Sequence, residues 1–249
     1  MGPTGLRAAS TWSKPSPWYR GAMNLLTAAA GAMLVLLAGC TSVPTATGHA
    51  GSPTDETRAL LEGSTLEGWS GDVVGWTLKD GVLSCGPNGQ AIYAPGEWSD
   101  FELSFSFRLD PGANNGVAIR APGTGDAAYE GMEIQVLDDG HEKYAGWLKD
   151  GQRHGSVYGL VSSSGAREAM RPAGEWNDET ITARGSRITV ALNGKTIVDA
   201  DVAAALRAGA ASGKDHPGAR RTSGKVGFLG HGDRVDFRNV RIRPLRPAT

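Results

Sequence analysis

The strict alternation of apolar and polar residues over positions 101–109 is the feature that most constrains the fold. Side chains of a β-strand point alternately to its two faces, so this pattern predicts a strand with one buried face and one solvated face. The apolar positions are Phe101, Leu103, Phe105, Phe107 and Leu109. A strand of this kind is typical of an antiparallel sheet with one face packed on the core.

Short strands and tight turns recur along the chain, whereas helical patterns are few. Asp80-Gly81 and Asn193-Gly194 are two-residue hairpin turns between apolar segments. Residues 201–208 are rich in alanine and indicate a short helix or turn, and residues 209–223 are predicted to form a surface loop. Together these patterns predict an all-β protein, a β-sandwich or jelly roll of two antiparallel sheets. A β-propeller is the alternative, although no blade motif repeats along the chain.

The last strand signal, at residues 234–243, changes phase part-way along. Its apolar residues lie at odd positions, at Val235 and Phe237, and then at even positions from Val240 onwards. A one-residue slip in register would turn every later side chain to the opposite face of the sheet. We therefore predict a β-bulge near residues 238–239.

Two predicted strands within residues 114–138 place polar side chains on one face of a sheet. Arg120 in the first strand and Glu133 and Gln135 in the second are opposite in phase to the apolar residues around them. A cation, a carboxylate and an amide on one face are typical of a site for a polyhydroxylated ligand. The alternative is a solvated outer face with an incidental ion pair. Asp138 has the phase of the core face, so it joins the others only if the strand ends or turns there.

The first 40 residues have the organisation of a bacterial export signal. An apolar run at residues 23–37 ends in Leu37-Ala38-Gly39-Cys40 and is preceded by basic residues and no acid. The basic residues are Arg7, Lys14 and Arg20. The run is shorter than the about 20 apolar residues of a membrane span and is typical of a secretory signal. Because Leu-Ala-Gly-Cys resembles the bacterial lipobox, Cys40 is the expected site of lipidation. An ordinary signal peptide with an incidental cysteine is the alternative.

These features predict three segments in the chain. They are a lipoprotein signal peptide at residues 1–40, a flexible tether at residues 41–57 and one folded domain at residues 58–247. The mature protein is therefore expected to be exported and anchored by its lipid at the membrane of a bacterial cell envelope. With Cys40 as the anchor, Cys85 has no cysteine to pair with and is predicted to be a small core residue.

The charge of the mature chain disfavours one class of partner. The whole chain has a formal net charge of −1 and residues 1–40 carry +3, so the mature chain is near −4. A nucleic-acid partner would need a basic face, and none is expected here.

Several residues outside the two polar strands are further candidates for a site. The chain contains no glycine-rich phosphate loop, no His-Glu-x-x-His zinc motif and no Gly-x-Ser-x-Gly nucleophile elbow. His231 follows a predicted strand and could add acid–base capacity to a carboxylate, or be a hydrogen-bonded loop residue. Tyr158 and Trp176 could supply flat surfaces for a sugar ring, although core packing is the simpler interpretation of Trp176. Arg238, in the last strand, is a further polar candidate.

A series of short motifs occurs in order along nearly the whole mature chain. They are Leu66-Glu67-Gly68-Trp69, Trp76 with Asp80-Gly81, Asp100-Phe101-Glu102-Leu103, Asn115-Gly116-Val117 with Arg120, Glu133-Ile134-Gln135-Val136-Leu137-Asp138, Gly155 with Tyr158, Gly174-Glu175-Trp176-Asn177, Asn193-Gly194, and His231-Gly232 with Phe237-Arg238-Asn239-Val240. In this order they resemble the 3-keto-disaccharide hydrolase family of bacterial secreted proteins and lipoproteins.

The resemblance implies a concanavalin-like β jelly roll with a ligand site on its concave sheet. It also implies cleavage of glycosides that carry a ketone at C3 of the sugar. Glu133 is then the expected base, and Arg120 or a bound cation would stabilise the enolate oxygen. His231 would serve as an acid or a metal ligand, and Gln135 and Asp138 would orient hydroxyl groups. The cofactor stays open, with a divalent cation as the candidate.

The remaining candidates and the alternatives follow from the same resemblance. Tyr158, Trp176 and Arg238 are expected to contact the carbohydrate substrate. A non-catalytic carbohydrate-binding module or a surface adhesion domain is the alternative, because one fold can carry many functions.

Overall fold

The computed structural model describes residues 56–246 of the chain. These residues belong to a compact unit of residues 50–249. The predicted signal peptide at residues 1–40, Cys40 and nearly all of the predicted tether lie outside the described residues, as does residue 247. Within the described range, no helix combines the length and the apolar character that crossing a membrane requires.

Short strands dominate the domain. The strands are β1 Arg58–Ala59, β2 Ser70–Gly71, β3 Trp76–Lys79, β4 Val82–Cys85, β5 Ile92–Tyr93, β6 Phe101–Leu109, β7 Asn114–Ala121, β8 Met132–Leu137, β9 Asn177–Arg184, β10 Arg187–Leu192, β11 Lys195–Asp201, β12 Lys225–Gly230 and β13 Val235–Pro244. The α-helices are α1 Ala127–Glu130, α2 Ala166–Ala169 and α3 Val202–Ala208. Single 3-10 turns lie at Val73–Gly75, Glu142–Tyr144, Asp150–Gln152 and Pro217–Arg220.

The strands form two antiparallel sheets. The larger has eight strands in the order β11-β10-β9-β6-β13-β4-β3, with β1 paired to β13, and the smaller has five in the order β2-β5-β12-β7-β8. Their inner faces share one apolar core. Phe228 of β12 and Phe237 of β13 meet across the sandwich with ring centroids 4.1 Å apart. The predicted all-β sandwich of two antiparallel sheets, a concanavalin-like jelly roll, is confirmed.

The alternation in residues 101–109 has the predicted outcome. The apolar side chains of β6 are at most 3% exposed and line the core. Both predicted hairpin turns are also present, with positive φ at Asp80 and Asn193 and at the glycines that follow them. The alanine-rich segment forms α3, whose first backbone N–H groups donate to the side chain of Asp201.

Cys85 is a core residue, as the sequence predicts, and is 1% exposed. Burial raises the pKa of its thiol to about 11, with a smaller opposing effect of a hydrogen bond to Asn115. A thiol of this kind stays protonated at neutral pH and is a poor nucleophile.

Two β-bulges change the phase of their strands. The register of β13 on β6 shifts between residues 238 and 241, and Asn239 has a φ of 55°, which confirms the predicted bulge. A second bulge lies in β7, where the pairing with β12 shifts between Lys225 and Gly227 and Arg120 has a φ of 48°. The sequence pattern does not reveal this second bulge.

The second polar strand, which the sequence predicts over residues 129–138, is shorter in the structure, because a helical turn precedes it. The Asp126 side chain accepts a hydrogen bond from the Ala128 N–H at 3.1 Å and caps α1. The strand therefore begins at Met132, and Tyr129 projects from a helix instead of a sheet.

A histidine and a glutamate lie inside the core between the two sheets. His154 and Glu179 are each 1% exposed, and the His154 Nε2 lies 2.9 Å from the Glu179 Oε2. The separation is that of an ion pair, although the alignment falls short of a well-formed hydrogen bond. His154 Nδ1 accepts a hydrogen bond from the Leu137 N–H at 3.2 Å, so the ring ties the end of β8 to β9.

Candidate active site

Glu133 projects from the outer face of the smaller sheet. The core residue Ile134 lies between Glu133 and Gln135, so both polar side chains point away from the core. The Glu133 carboxylate lies over Gly116 of the neighbouring strand β7, since a Cβ at that glycine would stand 2.1 Å from the Glu133 Oε1. Gly116 thus leaves the space in which the carboxylate crosses β7 towards β12.

His231 approaches the Glu133 carboxylate from β12, on the other side of β7. It follows the last residue of β12, and its Nε2 lies 3.2 Å from the Glu133 Oε1. The Glu133 side chain is 5% exposed, whereas the His231 side chain is 38% exposed. The pair therefore consists of a buried carboxylate and a partly exposed imidazole.

The carboxylate changes the titration of the imidazole. Burial lowers the pKa of His231, but its hydrogen bond with Glu133 and the charges of Glu133, Asp126 and Asp233 outweigh burial and raise that pKa above its usual value. A carboxylate acceptor holds a proton on Nε2, so we infer that Nδ1 carries the lone pair of the neutral ring. Such a group can take a proton on Nδ1 and return it.

Two tyrosines border the pair. The Tyr158 N–H donates to the Glu133 carbonyl oxygen at 2.8 Å, and the Gln152 Nε2 donates to the Tyr158 hydroxyl at 2.9 Å. Burial raises the pKa of Tyr158, and the Glu133 charge adds to this effect against the hydrogen bond from Gln152. Burial also raises the pKa of Tyr129, as do the charges of Asp126 and Glu133. Both hydroxyls are therefore protonated hydrogen-bond donors at neutral pH.

The segment at residues 209–223 packs against α1 and fixes Tyr129. The Tyr129 ring stacks on His216 with ring centroids 4.7 Å apart. Gly218 approaches α1 so closely that a Cβ there would lie 2.2 Å from the carbonyl carbon of Glu130. Most of the segment is exposed, as predicted for a surface loop, but His216 and Gly218 are buried.

Lys214 adds a cation to this segment. Its Nζ lies 5.4 Å from the centre of the Tyr129 ring, and its charge opposes the rise in the pKa of Tyr158. The side chain is exposed. The borders of the site thus combine a cation and two phenolic hydroxyls with the Glu133–His231 pair.

Comparison with known proteins identifies the family of this chain. The sequence profile of the 3-keto-alpha-glucoside-1,2-lyase-like domain matches residues 56–243. The chain belongs to this family. The resemblance predicted from the ordered motifs is thereby confirmed.

Individual relatives agree with the family. The 3-keto-disaccharide hydrolase of Bacteroides thetaiotaomicron is 25% identical over 227 residues, which cover 75% of this chain and 77% of that protein. A crystal structure of a proposed glycosyl hydrolase from Parabacteroides distasonis is 31% identical with a TM-score of 0.66, and covers 76% of this chain and 100% of that one. A second such structure from the same organism is 25% identical with a TM-score of 0.65, over 76% and 94% of the two chains. These relatives support a glycoside hydrolase type of function.

Gln135 and Asp138, both predicted site residues of this 3-keto-alpha-glucoside-1,2-lyase-like domain, lie in different settings. The Gln135 Nε2 donates to the Asn114 Oδ1 at 2.7 Å, on the same outer face as Glu133. The Asp138 Oδ2 accepts from the Gly112 N–H at 2.7 Å. This geometry supports Asp138 as a turn residue and does not support a role in orienting hydroxyl groups.

Arg120 does not join Glu133, contrary to the sequence-based expectation. It is 2% exposed, and its Nε and Nη2 donate to the Ser99 carbonyl oxygen at 3.0 Å and 2.8 Å. Its Nη1 donates to the Gly185 carbonyl oxygen at 2.7 Å, and its Nη2 lies 3.2 Å from the Asp100 Oδ1. The bulge in β7 breaks the alternation on which the prediction depended. Arg120 thus connects loops of the fold, and its predicted catalytic role is not supported.

Trp176 and Arg238 contact one another, but they belong to the larger sheet and not to the site around Glu133. The guanidinium carbon of Arg238 lies 3.9 Å from the Trp176 ring centre, and that of Arg108 lies 4.8 Å from it. The ring predicted to serve as a sugar platform is therefore in contact with two of this protein's own cations. The prediction that these two residues share the site with Glu133 is wrong.

The described range 56–246 contains no group of three or more His, Cys, Asp or Glu side chains arranged to hold a metal ion. The structure also adds site residues that the sequence did not indicate, namely Tyr129, Lys214 and His216. They come from a single helical turn and an irregular segment, where no periodicity exists to follow. The one available signal was Asp126, a typical N-cap before two alanines.

Gly116→Ala is expected to reduce turnover while the domain stays folded. The added methyl group would displace the Glu133 carboxylate from His231, and a misplacement of about 1 Å can cost about 100-fold in rate. Steady-state kinetics and thermal melting measure the two effects. Gly86→Ala is the matched control, because its Cβ would meet only the Gly75 oxygen at 3.4 Å. Unchanged turnover in Gly116→Ala would contradict a role for the crossing carboxylate.

Proposed function

We propose that this protein cleaves glycosides whose sugar carries a ketone at C3, by elimination followed by hydration. The observation that carries the proposal is the Glu133–His231 pair, with 3.2 Å between carboxylate and imidazole at an outer sheet face. The name of the family and the name of the Bacteroides relative support the 3-keto substrate.

The reaction requires one group that transfers protons and one that stabilises the negative charge of the enolate. The ketone acidifies the proton on C2, and a base that takes this proton sends the electron pair into an enolate with charge on the C3 oxygen. The bond from C1 to the leaving oxygen then breaks, and that oxygen takes a proton from an acid. Water adds across the resulting C1–C2 double bond, so the net reaction is hydrolysis.

We assign the proton transfer at C2 to His231 and its positioning to Glu133. The sequence-based hypothesis made Glu133 the base, but this carboxylate is 5% exposed and His231 is 38% exposed. The more accessible group is the one that a sugar carbon can approach. A carboxylate that holds the imidazole and stabilises its protonated form raises the strength of the base.

The developing charge on the C3 oxygen needs donors at the border of the site. Lys214 and the hydroxyls of Tyr129 and Tyr158 are the groups that we assign to it, in place of the buried Arg120. Their support is the position of Lys214 over the Tyr129 ring and the electrostatic influence of Glu133 on both tyrosines.

In the deciding experiment, the chain from Thr41 onwards is incubated with a 3-keto-disaccharide. The matched control is the parent disaccharide, which lacks the ketone. We expect release of a monosaccharide from the keto sugar alone, with deuterium at C2 of the product in D₂O. Release from the parent sugar as well would indicate an ordinary glycosidase. Saturable binding without release would instead support the carbohydrate-binding module.

We also propose that the protein is exported and anchored through a lipid on Cys40. The support is the apolar run that ends in Leu37-Ala38-Gly39-Cys40. The full chain should follow the membrane fraction of a bacterial host, and Cys40→Ser should release it. Equal membrane association of both chains would contradict the anchor.

A further inference from the structure

The outer face of the larger sheet carries four acidic side chains that are paired with basic ones. This face lies on the opposite side of the sandwich from Glu133 and His231. The ion pairs are Arg108–Asp236 at 2.7 Å, Arg243–Glu102 at 3.0 Å, Arg187–Asp199 at 2.6 Å and Arg171–Asp178 at 3.8 Å. Acidic groups on these strands are thus neutralised locally.

Four further cations on this face have no acidic partner among the residues that the structure describes. They are Lys79, Arg184, Arg238 and Arg241. Lys79 and Arg238 both pair with Val82, from the two strands that flank it, so their backbones are about 10 Å apart. Arg241 follows on the same strand as Arg238. The face therefore has an excess of positive charge on a mature chain whose net charge is negative.

The side chain of Arg238 is restrained by stacking. Its guanidinium carbon lies 3.9 Å from the Trp176 ring centre, and its Nε is buried without a hydrogen-bond partner. A guanidinium that is already restrained by stacking loses less conformational freedom when it binds an anion such as a phosphate.

One of these cations, Lys79, lines an open groove. The groove has a volume of about 580 Å³. Its lining includes Thr77, Lys79, Ser84, Arg234 and Val74. Val74 is 90% exposed, in a 3-10 turn whose N-terminus is capped by Asp72. Val74 thus presents an apolar side chain to solvent at the groove that Lys79 lines.

We propose that this face docks on an anionic phospholipid bilayer. Lys79, Arg238 and Arg241 contact headgroup phosphates, and Val74 enters the apolar boundary beneath them. Basic charge combined with a buried apolar contact is the physical basis of interfacial membrane binding. A soluble polyanion would form ion pairs with the cations, but it would provide no apolar region for Val74 to enter.

The path of the chain agrees with this orientation. In β1 Ala59 pairs with Arg241, so the described part of the chain begins beside one of these cations. A membrane on this face would therefore lie near the start of the domain. Glu133 and His231 would then face away from the bilayer.

The test is co-sedimentation of the chain from Thr41 onwards with lipid vesicles. This chain contains the whole compact unit of residues 50–249 and lacks both Cys40 and the apolar run. We expect binding to vesicles that mix phosphatidylcholine with phosphatidylglycerol, weaker binding at high salt and none to phosphatidylcholine alone. The variant Lys79→Ser/Arg238→Ser/Arg241→Ser should bind at least about ten-fold more weakly. Val74→Ser should bind several-fold more weakly.

The control variant is Lys149→Ser/Arg207→Ser/Arg220→Ser, which removes the same charge from exposed positions outside this face. It should bind like the parent chain, and thermal melting should show that every variant is folded. An equal loss of binding in the control would overturn the proposal. So would undiminished binding by Val74→Ser together with competition by a soluble anionic polysaccharide, because that result would identify a polymer as the ligand.

Discussion

Glu133→Gln is expected to lower turnover of a 3-keto-disaccharide by about 10²- to 10⁴-fold, with little change in the fold. Glutamine keeps the shape of the side chain but cannot stabilise a protonated His231 across the 3.2 Å contact. This loss is expected whether Glu133 or His231 takes the proton from C2. His231→Gln separates the two assignments, because it should be at least as damaging if His231 takes the proton.

A second measurement on the same variant does not depend on turnover. The chain has five histidines, so their titrations can be followed by NMR. The pKa of His231 should lie above its usual value in the parent chain and fall in Glu133→Gln, because the carboxylate is the main cause of the rise. The protonated ring then favours the folded state below about pH 6.5, and this contribution is lost as the pH rises through the raised pKa.

The matched control for this prediction is Glu142→Gln, which makes the same chemical change at an exposed position. It should keep parent turnover and leave the His231 titration unaltered. If Glu133→Gln turned over the keto sugar within about three-fold of the parent chain, the pair would not be the proton-transfer machinery. An unshifted His231 pKa would show that the two side chains do not interact in solution.

Arg120→Met is expected to destabilise the domain by about 3–5 kcal/mol, because it breaks a buried ion pair and removes donors from buried carbonyl oxygens. The Ser99 and Gly185 carbonyl oxygens lose their donors from Arg120, whereas the Asp100 Oδ1 keeps the Gly185 N–H. Burial lowers the pKa of the Arg120 guanidinium, and Asp100 opposes this effect. Denaturant unfolding measures the loss. Arg120→Lys should recover part of it, since one ammonium cannot replace the planar fork.

The same variant separates a structural role from a catalytic one. Turnover per folded molecule of Arg120→Met, measured well below its melting temperature, should stay near that of the parent chain. Arg207→Met, at an exposed position in α3, is the control and should change stability by at most about 0.5 kcal/mol. A stable but inactive Arg120→Met would restore the catalytic role that the sequence pattern suggested.

Most of the fold can be predicted from the sequence, because it depends on local patterns. The alternation in β6, the Asp80-Gly81 and Asn193-Gly194 turns and the phase change near Asn239 each follow from a few adjacent residues. The bulge at Arg120 left no such trace, because small residues surround it and no apolar phase change marks it.

The candidate site was predictable only where its residues stand on regular strands. Glu133 and Gln135 kept the predicted face, and His231 reached Glu133 as the family motifs implied. Trp176 and Arg238 were predicted to contact the substrate but lie with the other sheet, because nothing local says which of two sheets a strand joins. Tyr129 and Lys214 depend on how a helical turn and an irregular segment pack, which is a property of the tertiary structure.

The position of the pair also ties activity to the order of folding. Glu133 and His231 are 98 residues apart in sequence and meet only when β12 has paired with β7 and β7 with β8. Contacts at such separations carry a large entropic cost of loop closure and form slowly compared with the hairpins at Asp80 and Asn193. During refolding, catalytic competence therefore reports the completion of the long-range strand pairing and not the first appearance of β-structure.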